Sequence, residues 1–298
     1  MKPFLKWIGG KTQIMHHIVP KIPKRMHNYH EPFVGGGSVL FKVLSLQHSG
    51  DIVICGTVFA YDANDTLIHV YKNIQTNPSD VHASLEVLFT TYDACDGTDK
   101  NRHPTETEST KSKENFYYWC RSRFNAIDDK TGTEASALFI FLNKTCFRGM
   151  FREGPNGYNV PYGHYKKTPG YPSESTIRQI SDLIKNVEFH CRDYAKSIVN
   201  ARHGDFVYLD PPYVPIATTS FVGYTSRGFT KDNHKELFNI IHELRNKDVH
   251  LVMSNSCSPV VVQEFTDYSI QEIECRRAIH CKKPGTKIKE VLIEYIPN

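Results

Sequence analysis

Two patterns are missing from this 298-residue chain, and each absence excludes a class of protein. Its eight cysteines include no Cys-x-x-Cys pair and its 15 histidines form no ligand-spaced cluster, so we expect no metal site. No apolar run approaches the roughly 20 residues that cross a bilayer. Because residues 1–7 also lack an apolar signal core, we expect a cytoplasmic chain, or one located wherever its substrate resides, and not a secreted one.

The distribution of charge says more than the net charge, which is only +4. Residues 141–170 hold five Lys or Arg against one acid, and residues 275–289 hold six and no acid. Both stretches contain glycine and proline, which predicts exposed basic loops. Such loops are typical of phosphate contact, although an ordinary solvated surface gives the same pattern.

The two ends of the chain predict one α/β sheet. Near the N-terminus, a helix at 12–19 precedes a strand at 29–33, a glycine turn that opens a helix at 38–46, and a strand at 58–61 that ends at Asp62. This order is typical of a nucleotide-binding βαβ unit. The alternation resumes later, with a helix opened by Thr230 at 231–245 and strands at 187–190, 205–209, 250–253 and 290–295. Residues 1–65 and 186–298 are therefore expected to form one domain.

Residues 66–185 interrupt that pattern and predict a separate, mainly helical domain. Helical spacing covers residues 67–88, 115–123, 134–143 and 174–185. The polar stretch at 93–115 has no apolar periodicity and predicts a long mobile loop. Residues 145–170 are crowded with Gly, Pro, Asn and aromatic residues, which favours an irregular hairpin.

The motif with the clearest chemistry is Asp210-Pro211-Pro212-Tyr213, directly after an apolar strand. Loops at the carboxyl ends of parallel strands carry ligands and chemistry. The amino nitrogen of a nucleobase is a weak nucleophile because its lone pair is delocalised into the ring. A carboxylate and a backbone carbonyl that accept hydrogen bonds from its two N–H groups would localise that lone pair. The two prolines fix the backbone that carries the carbonyl. The tyrosine offers a flat face to an extruded base.

With this motif, the chain resembles the Dam-type family (D12 class, alpha group) of DNA adenine-N6 methyltransferases over nearly its whole length. Four further stretches match family motifs in order: PFLKWIGGK (3–11), EPFVGGGS (31–38), YDAN (61–64) and FHCRDY (189–194). The resemblance implies a Rossmann-like sheet that uses S-adenosylmethionine and an inserted target-recognition domain. It implies catalytic roles for Asp210, Pro211, Pro212 and Tyr213.

The resemblance also implies a cofactor site. In the family, the glycine loop holds the methionine part of S-adenosylmethionine, the residue matching Asp62 hydrogen-bonds the ribose, and an acid and an aromatic residue flank the adenine. The cofactor-contacting positions expected here are Trp7, Lys11, Phe33, Gly35, Gly37, Asp62, Asp193, Tyr194 and Asp210.

The insert is where sequence readout is expected, because arginine reads guanine and asparagine reads adenine in the major groove. Residues 157–166 resemble the family's target hairpin, but 146–156 depart from the pattern of GATC enzymes. Arg148 stands where those enzymes have Asn, and the loop is one residue shorter. The target is therefore expected to be GATC or a CATG-like palindrome. The expected DNA contacts, for which phosphate contact without base readout is the alternative, are Arg148, Arg152, Asn156, Asn159, Lys166 and Lys167.

Other interpretations stay open from the residues alone. A cytosine-N4 methyltransferase uses the same chemistry but more often carries Ser at the position of Asp210, and enzymes acting on RNA or protein amides tend to show Asn. A non-enzymatic DNA-binding module explains the basic loops but not the cofactor motifs. A dinucleotide-dependent oxidoreductase needs a third glycine that residues 35–40 lack. The expected partners are double-stranded DNA and a cognate restriction endonuclease acting on the same site.

Overall fold

The computed structural model describes residues 1–216, 229–276 and 287–297. The strands of these ranges are β1 (Arg25–Met26), β2 (Tyr29–Glu31), β3 (Val53–Ile54), β4 (Val58–Asp62), β5 (Glu153–Gly154), β6 (Gly157–Tyr158), β7 (Val187–Cys191), β8 (Phe206–Leu209), β9 (His250–Ser256), β10 (Ser269–Arg276) and β11 (Lys287–Tyr295). The helices are α1 (Met15–Ile18), α2 (Ser38–His48), α3 (Asp65–Thr76), α4 (Pro78–Ala94), α5 (Glu106–Ser109), α6 (Lys113–Ala126), α7 (Thr133–Thr145), α8 (Glu174–Ile184), α9 (Tyr194–Ser197), α10 (Lys231–Asn246) and α11 (Pro259–Glu264).

The chain forms two compact units. The sheet unit comprises residues 11–63 and 186–298, and the helical unit comprises residues 1–10 and 64–185. The first ten residues belong to the helical unit because Phe4 packs edge-on against Tyr71 of α3 and the backbone of Lys6 is hydrogen-bonded by Asn143 of α7. Of the basic positions predicted near the C-terminus, Arg277, Lys282 and Lys283 lie outside the described residues.

The sheet unit is built on a seven-stranded Rossmann-like sheet with the order β10-β11-β9-β8-β2-β4-β7. The five strands from β9 to β7 are parallel, and β11 runs antiparallel to both β9 and β10. The chain starts the sheet at β2, continues outward through β4 and β7, and returns to add β8 on the other side of β2. The connections after β2 and β8 therefore leave the sheet at its topological switch point, where sheets of this kind bind ligands.

Packing explains why the central strands are so apolar. Every residue of β8 is buried, as expected for a parallel strand covered on both faces. On α10, Leu237, Ile241 and Leu244 recur at helical spacing and join the same core cluster. Thr230 caps this helix by accepting the backbone N–H of Asn233 at 3.2 Å, so the predicted helix start is confirmed.

The helical unit differs from the prediction in two places. The helical spacing at 67–88 belongs to two helices, which meet at Asn77 and continue at Pro78, where a missing backbone N–H is tolerated. The expected loop at 93–115 is more ordered than its polar composition indicated. It contains α5 with a capping box between Thr105 and Glu108, and the Ser112 hydroxyl donates to the Asp99 carbonyl at 2.5 Å.

The predicted hairpin is confirmed as a pair of two-residue strands, β5 and β6, joined by two residues. Gly157 begins β6 with a φ of 85°, a left-handed conformation that favours glycine. Asn125 of α6 fixes β6 by donating to the Tyr158 carbonyl at 2.9 Å and accepting its N–H at 2.8 Å. A Cβ atom at Gly157 would lie 2.7 Å from the Asn125 side chain, so the site also requires a small residue.

Six of the strands and helices given above were not predicted: the short strands β1 and β3, the short helices α5, α9 and α11, and β10 at the edge of the sheet. The strand β9 also runs three residues beyond its predicted end at Met253. Within the described ranges, no helix combines the length and the apolar character needed to span a membrane.

Candidate active site

The Asp-Pro-Pro-Tyr loop (residues 210–213) leaves the sheet at the end of β8, at the switch point. The Lys11 ammonium lies 2.7 Å from Oδ1 of Asp210, and only 6% of the Lys11 side chain is exposed. The backbone N–H of Lys11 donates to the Ser38 hydroxyl at 3.1 Å, at the first residue of α2. The ion pair thus links this loop to the start of the helix that follows the glycine loop.

The charge state of Asp210 follows from its burial and from two neighbouring charged groups. Burial raises its pKa to about 6, the Lys11 ammonium opposes this rise, and the Glu290 carboxylate adds to it. Asp210 is therefore mainly ionised at neutral pH. It can accept an N–H bond as a carboxylate, and its pKa lies close enough to neutrality for it to take up a proton.

Side chains of two neighbouring strands hold the loop in place. The Tyr213 hydroxyl donates to Oε2 of Glu290, on β11, at 3.0 Å. The Val214 N–H donates to Oδ1 of Asn255 at 3.0 Å, and its carbonyl accepts the Ser256 hydroxyl at 2.5 Å, both on β9. Three polar groups therefore fix the end of the loop independently of any bound molecule.

A second carboxyl group lies buried at the end of β2. Glu31 is 2% exposed, and its Oε2 accepts the Tyr29 hydroxyl at 2.6 Å. Burial raises the pKa of Glu31 to about 8; the Tyr29 hydrogen bond opposes this rise, and the nearby Asp210 carboxylate adds to it. Glu31 is therefore mainly protonated at neutral pH, which leaves Asp210 as the ionised carboxylate that Lys11 contacts.

The glycine loop after β2 is buried and consists of backbone without bulky side chains. Gly35 and Gly37 have φ angles of 46° and 72°, in the left-handed region, and Gly37 is the N-cap of α2. The Gly35 N–H donates to Oδ2 of Asp62, the last residue of β4, at 3.0 Å. The structure thus brings together three of the predicted cofactor residues at the carboxyl ends of adjacent strands.

An aromatic pair lies beyond this loop in the same unit. Phe33 stacks on Tyr194 with ring centroids 5.6 Å apart, and Phe229 packs against both rings. The Tyr194 hydroxyl donates to Glu236 of α10 at 2.5 Å. Asp193 is exposed and caps α9, its Oδ1 accepting the N–H of the second helical residue at 2.9 Å.

Trp7 lies in the helical unit, whereas Lys11 lies in the sheet unit. The Trp7 ring stacks against both Phe139 of α7 and Phe151, with centroid distances of 6.3 and 6.1 Å. Within its own unit, Trp7 therefore contacts the segment that leads into the hairpin. Its role at the cofactor stays a prediction.

The six predicted DNA contacts are all exposed side chains of the helical unit. Two of them meet across the hairpin, where Arg152 Nε donates to Oδ1 of Asn159 at 2.7 Å. Arg148 has a φ of 58°, and its guanidinium group lies 5.0 Å from the ring centroid of Phe147, which is 42% exposed. The surface is thus cationic, with one exposed aromatic ring.

The sequence prediction missed Asn255, Ser256 and Glu290. Asn255 and Ser256 had a readable signal, because they are polar residues at the carboxyl end of an apolar parallel strand, as Asp210 is. Glu290 had none. It faces the loop because β11 runs antiparallel to β9 with Glu290 opposite Ser256, and this register follows from the assembled sheet rather than from a local pattern.

Known proteins match this chain over its whole length. The profile of the family described as "D12 class N6 adenine-specific DNA methyltransferase" matches residues 7–279. The chain is 34% identical to type II methyltransferase M.MjaIII of Methanocaldococcus jannaschii, covering 99% of this chain and 98% of that protein. It is 31% identical to type II methyltransferase M1.LlaDCHI of Lactococcus lactis subsp. cremoris, covering 100% and 96%. It is 29% identical to the DNA adenine methylase of Escherichia coli strain K12, covering 99% and 96%.

These matches decide among the interpretations that the residues left open. The family modifies adenine N6 in DNA, which excludes the cytosine-N4, RNA, protein-amide and oxidoreductase alternatives and makes the chain an enzyme rather than a binding module. The fold, the loop at the switch point and the comparisons agree: the chain belongs to the D12 class of N6 adenine-specific DNA methyltransferases.

Proposed function

We propose that this enzyme transfers a methyl group from S-adenosylmethionine to N6 of an adenine that is flipped out of a short palindromic site in duplex DNA. The observation that carries the proposal is the Lys11–Asp210 ion pair in the Asp-Pro-Pro-Tyr loop, at the switch point that also carries the glycine loop. In this proposal, the sheet unit holds the cofactor and performs the transfer, and the helical unit recognises the target.

The residues around the glycine loop fit S-adenosylmethionine. Gly35 and Gly37 have no side chains to block its methionine part at the start of α2, the carboxylate of Asp62 suits a ribose diol, and the Phe33–Tyr194 pair suits a purine. When bound, S-adenosylmethionine supplies an electrophilic methyl group on a positively charged sulfur. The proposed cofactor contacts also include Trp7, Lys11, Asp193 and Asp210.

The chain's own residues prepare the amino nitrogen for attack. The Asp210 carboxylate and the Pro211 carbonyl each accept one N–H bond of the adenine amino group, which concentrates its lone pair on nitrogen. Pro212 keeps that carbonyl in place because its ring fixes φ. As the new N–C bond forms, the nitrogen gains positive charge, and Asp210 then takes up its surplus proton. The pKa of Asp210, about 6, suits both roles.

Base flipping is part of the proposal because the methyl group must reach the adenine N6 atom. The N6 atom of a stacked, paired adenine cannot be reached in line by a methyl group held in a protein cleft. The Lys11 ammonium lies 5.0 Å from the ring centroid of Tyr213, and Glu290 fixes its hydroxyl, so the ring has a set orientation. In this proposal the ring stacks on the extruded base. A rigid aromatic platform offsets part of the free energy lost on unstacking the base.

The helical unit supplies the proposed readout. Arg152 and Asn159 are suited to guanine and adenine edges, and Lys166 and Lys167 to phosphates. The proposed target is GATC or a CATG-like site. Two relatives are named type II methyltransferases, which supports a cognate restriction endonuclease as a functional partner of this enzyme.

The test is methyl-specific sequencing of plasmid DNA from methylation-deficient cells that express the chain. The wild type should mark adenine within one short motif, and Asp210→Ala should lose at least about a thousandfold in rate while still binding the cofactor. Asp267→Ala is the matched control, because it removes an exposed carboxylate that pairs with Arg245. Normal methylation by Asp210→Ala, or no methylated adenine from the folded wild type, would contradict the proposal.

A further inference from the structure

The carboxylate of Glu290 faces the Asp-Pro-Pro-Tyr loop from a strand outside the parallel part of the sheet. Its Oε2 accepts the Tyr213 hydroxyl at 3.0 Å. Opposite Glu290 on the neighbouring strand lies Ser256, whose hydroxyl donates at 2.5 Å to the carbonyl of Val214, the residue that follows the loop. Two paired residues of β9 and β11 therefore hold the last residue of the loop and the residue after it.

Tyr213 is held at both its hydroxyl and its ring. The Lys11 ammonium lies 5.0 Å from the ring centroid, and Glu290 accepts the hydroxyl proton. Burial raises the pKa of Tyr213 well above its ordinary value, and the carboxylates of Asp210 and Glu290 add to the rise. The phenol therefore stays protonated and acts as a hydrogen-bond donor to Glu290.

Among the described side chains that contact the loop, two carboxylates, Asp210 and Glu290, face one ammonium, that of Lys11. Glu31 adds no charge to this group because it is mainly protonated at neutral pH. Methyl transfer moves a positive charge from the donor onto the adenine amino group. A net negative charge next to that group stabilises the transition state more than the ground state, which is the condition for raising the rate.

We propose that Glu290 is a positioning residue for methyl transfer. Its carboxylate orients the Tyr213 ring against the target base. The charge-assisted O–H···O⁻ bond also makes the ring more electron-rich, which strengthens its attraction to the positive charge that develops on the adenine amino group. The inference rests on the proposed function of the Asp-Pro-Pro-Tyr loop and adds a residue that acts through Tyr213. Its effect belongs to the rate of transfer rather than to DNA affinity.

The experiment measures the single-turnover rate of methylation and the dissociation constant for a duplex that contains the target site. Glu290→Gln keeps a hydrogen-bond acceptor of the same shape but removes the charge. Its rate should fall about 10- to 100-fold, as expected for loss of a charge-assisted bond. DNA binding should change less than about threefold. Tyr213→Phe should show a similar loss, and the double variant should be no slower than the slower single variant.

The matched control is Glu272→Gln on the neighbouring strand β10, where an exposed carboxylate pairs with Lys289 at 2.7 Å. This variant should keep the wild-type rate. If Glu290→Gln acted only by destabilising the fold, its thermal midpoint of unfolding would fall. The losses of methylation rate in the two single variants would then add up in the double variant. Tyr213→Phe tests the same bond without altering Glu290.

Three results would overturn the inference: a wild-type rate in Glu290→Gln, a wild-type rate in Tyr213→Phe, or fully additive losses in the double variant. Asp210→Ala is measured in parallel to separate the two proposals. If that variant is inactive while Glu290→Gln is unaffected, only the role of Glu290 is wrong. If Asp210→Ala is active, the proposed function of the loop is wrong as well.

Discussion

The Asp-Pro-Pro-Tyr loop and the β5–β6 hairpin place their functional side chains in opposite ways. The loop follows a fully buried strand, and its polar groups are paired with Lys11, Asn255 and Glu290. The hairpin has strands of two residues, and its cationic side chains are exposed. Transfer chemistry requires fixed geometry, whereas sequence readout requires side chains that can exchange partners. Arg152 and Asn159, which contact each other here, illustrate the second case.

The largest effect among the tests of this contrast is expected from Lys11→Met. Removing the ammonium leaves Asp210 as a buried, unpaired carboxylate, so its pKa should rise above its present value of about 6. A protonated Asp210 no longer offers a carboxylate to accept the hydrogen bond from the adenine amino group. The rate of transfer at pH 7.5 should fall about 100-fold. The rate should partly recover toward pH 9, measured by single-turnover methylation between pH 6 and 9.

Lys21→Met is the control for that experiment. Lys21 pairs with Glu294 in the same unit at the same 2.7 Å, but not at the loop. It should lower thermal stability and leave the acid limb of the pH–rate profile where it is in the wild type. An unshifted acid limb in Lys11→Met would show that the ion pair does not set the ionisation of Asp210.

A smaller and different effect is expected in the hairpin. Arg152→Ala should reduce discrimination at one base pair of the target about 10- to 100-fold, because a bidentate contact to guanine contributes ~1–3 kcal/mol. Lys166→Ala should weaken binding to all duplexes alike and lower the salt dependence of binding by about one released counterion. The measurements are methylation rates on a set of single-base variants of the site and binding at several salt concentrations. Equal losses on every duplex for Arg152→Ala would make it a phosphate contact.

The same contrast explains how far the sequence alone could lead. Asp62 and Asp210 were predictable because each follows an apolar parallel strand, and the ends of such strands meet at one edge. The exposed positions of Arg148 and Lys166 were predictable from the Gly- and Pro-rich composition around them. Each of these signals is local to a short stretch of sequence, and the structure contains the strands and the hairpin that those stretches predicted.

The contacts that could not be predicted from the sequence join side chains that are far apart in the chain or lie on different strands. Glu290 faces Tyr213 only because β11 turns antiparallel against β9 in a particular register. Arg152 and Asn159 pair across a hairpin whose strands are too short to show alternation. The grouping of Trp7 with Phe139 and Phe151 likewise depends on packing between distant segments. Apolar periodicity indicates which face is buried, but not which partner covers it.

The smallest effect, on stability rather than activity, is expected from Glu31→Gln. The pKa of Glu31 is about 8 in the folded protein and near 4.5 when unfolded, so between these values the folded state holds a proton that the unfolded state has released. The free energy of unfolding therefore decreases as pH rises through that window. Asp210 acts in the same direction but only up to about pH 6, and Lys144, whose pKa burial lowers to about 8, opposes the decline above that pH. The difference between Glu31→Gln and the wild type therefore reports Glu31.

Glutamine keeps an acceptor for the Tyr29 hydroxyl and stays neutral at every pH. Glu31→Gln should therefore flatten the decline and be more stable than the wild type at pH 9 by about 2 kcal/mol. Thermal unfolding followed by circular dichroism from pH 5 to 9 measures this difference, with Glu272→Gln as an exposed control that should retain the wild-type slope. A parallel decline in Glu31→Gln and wild type would mean that the buried carboxyl is already ionised at neutral pH. Asp210 would then face a second negative charge, and the net charge inferred around the loop would need revision.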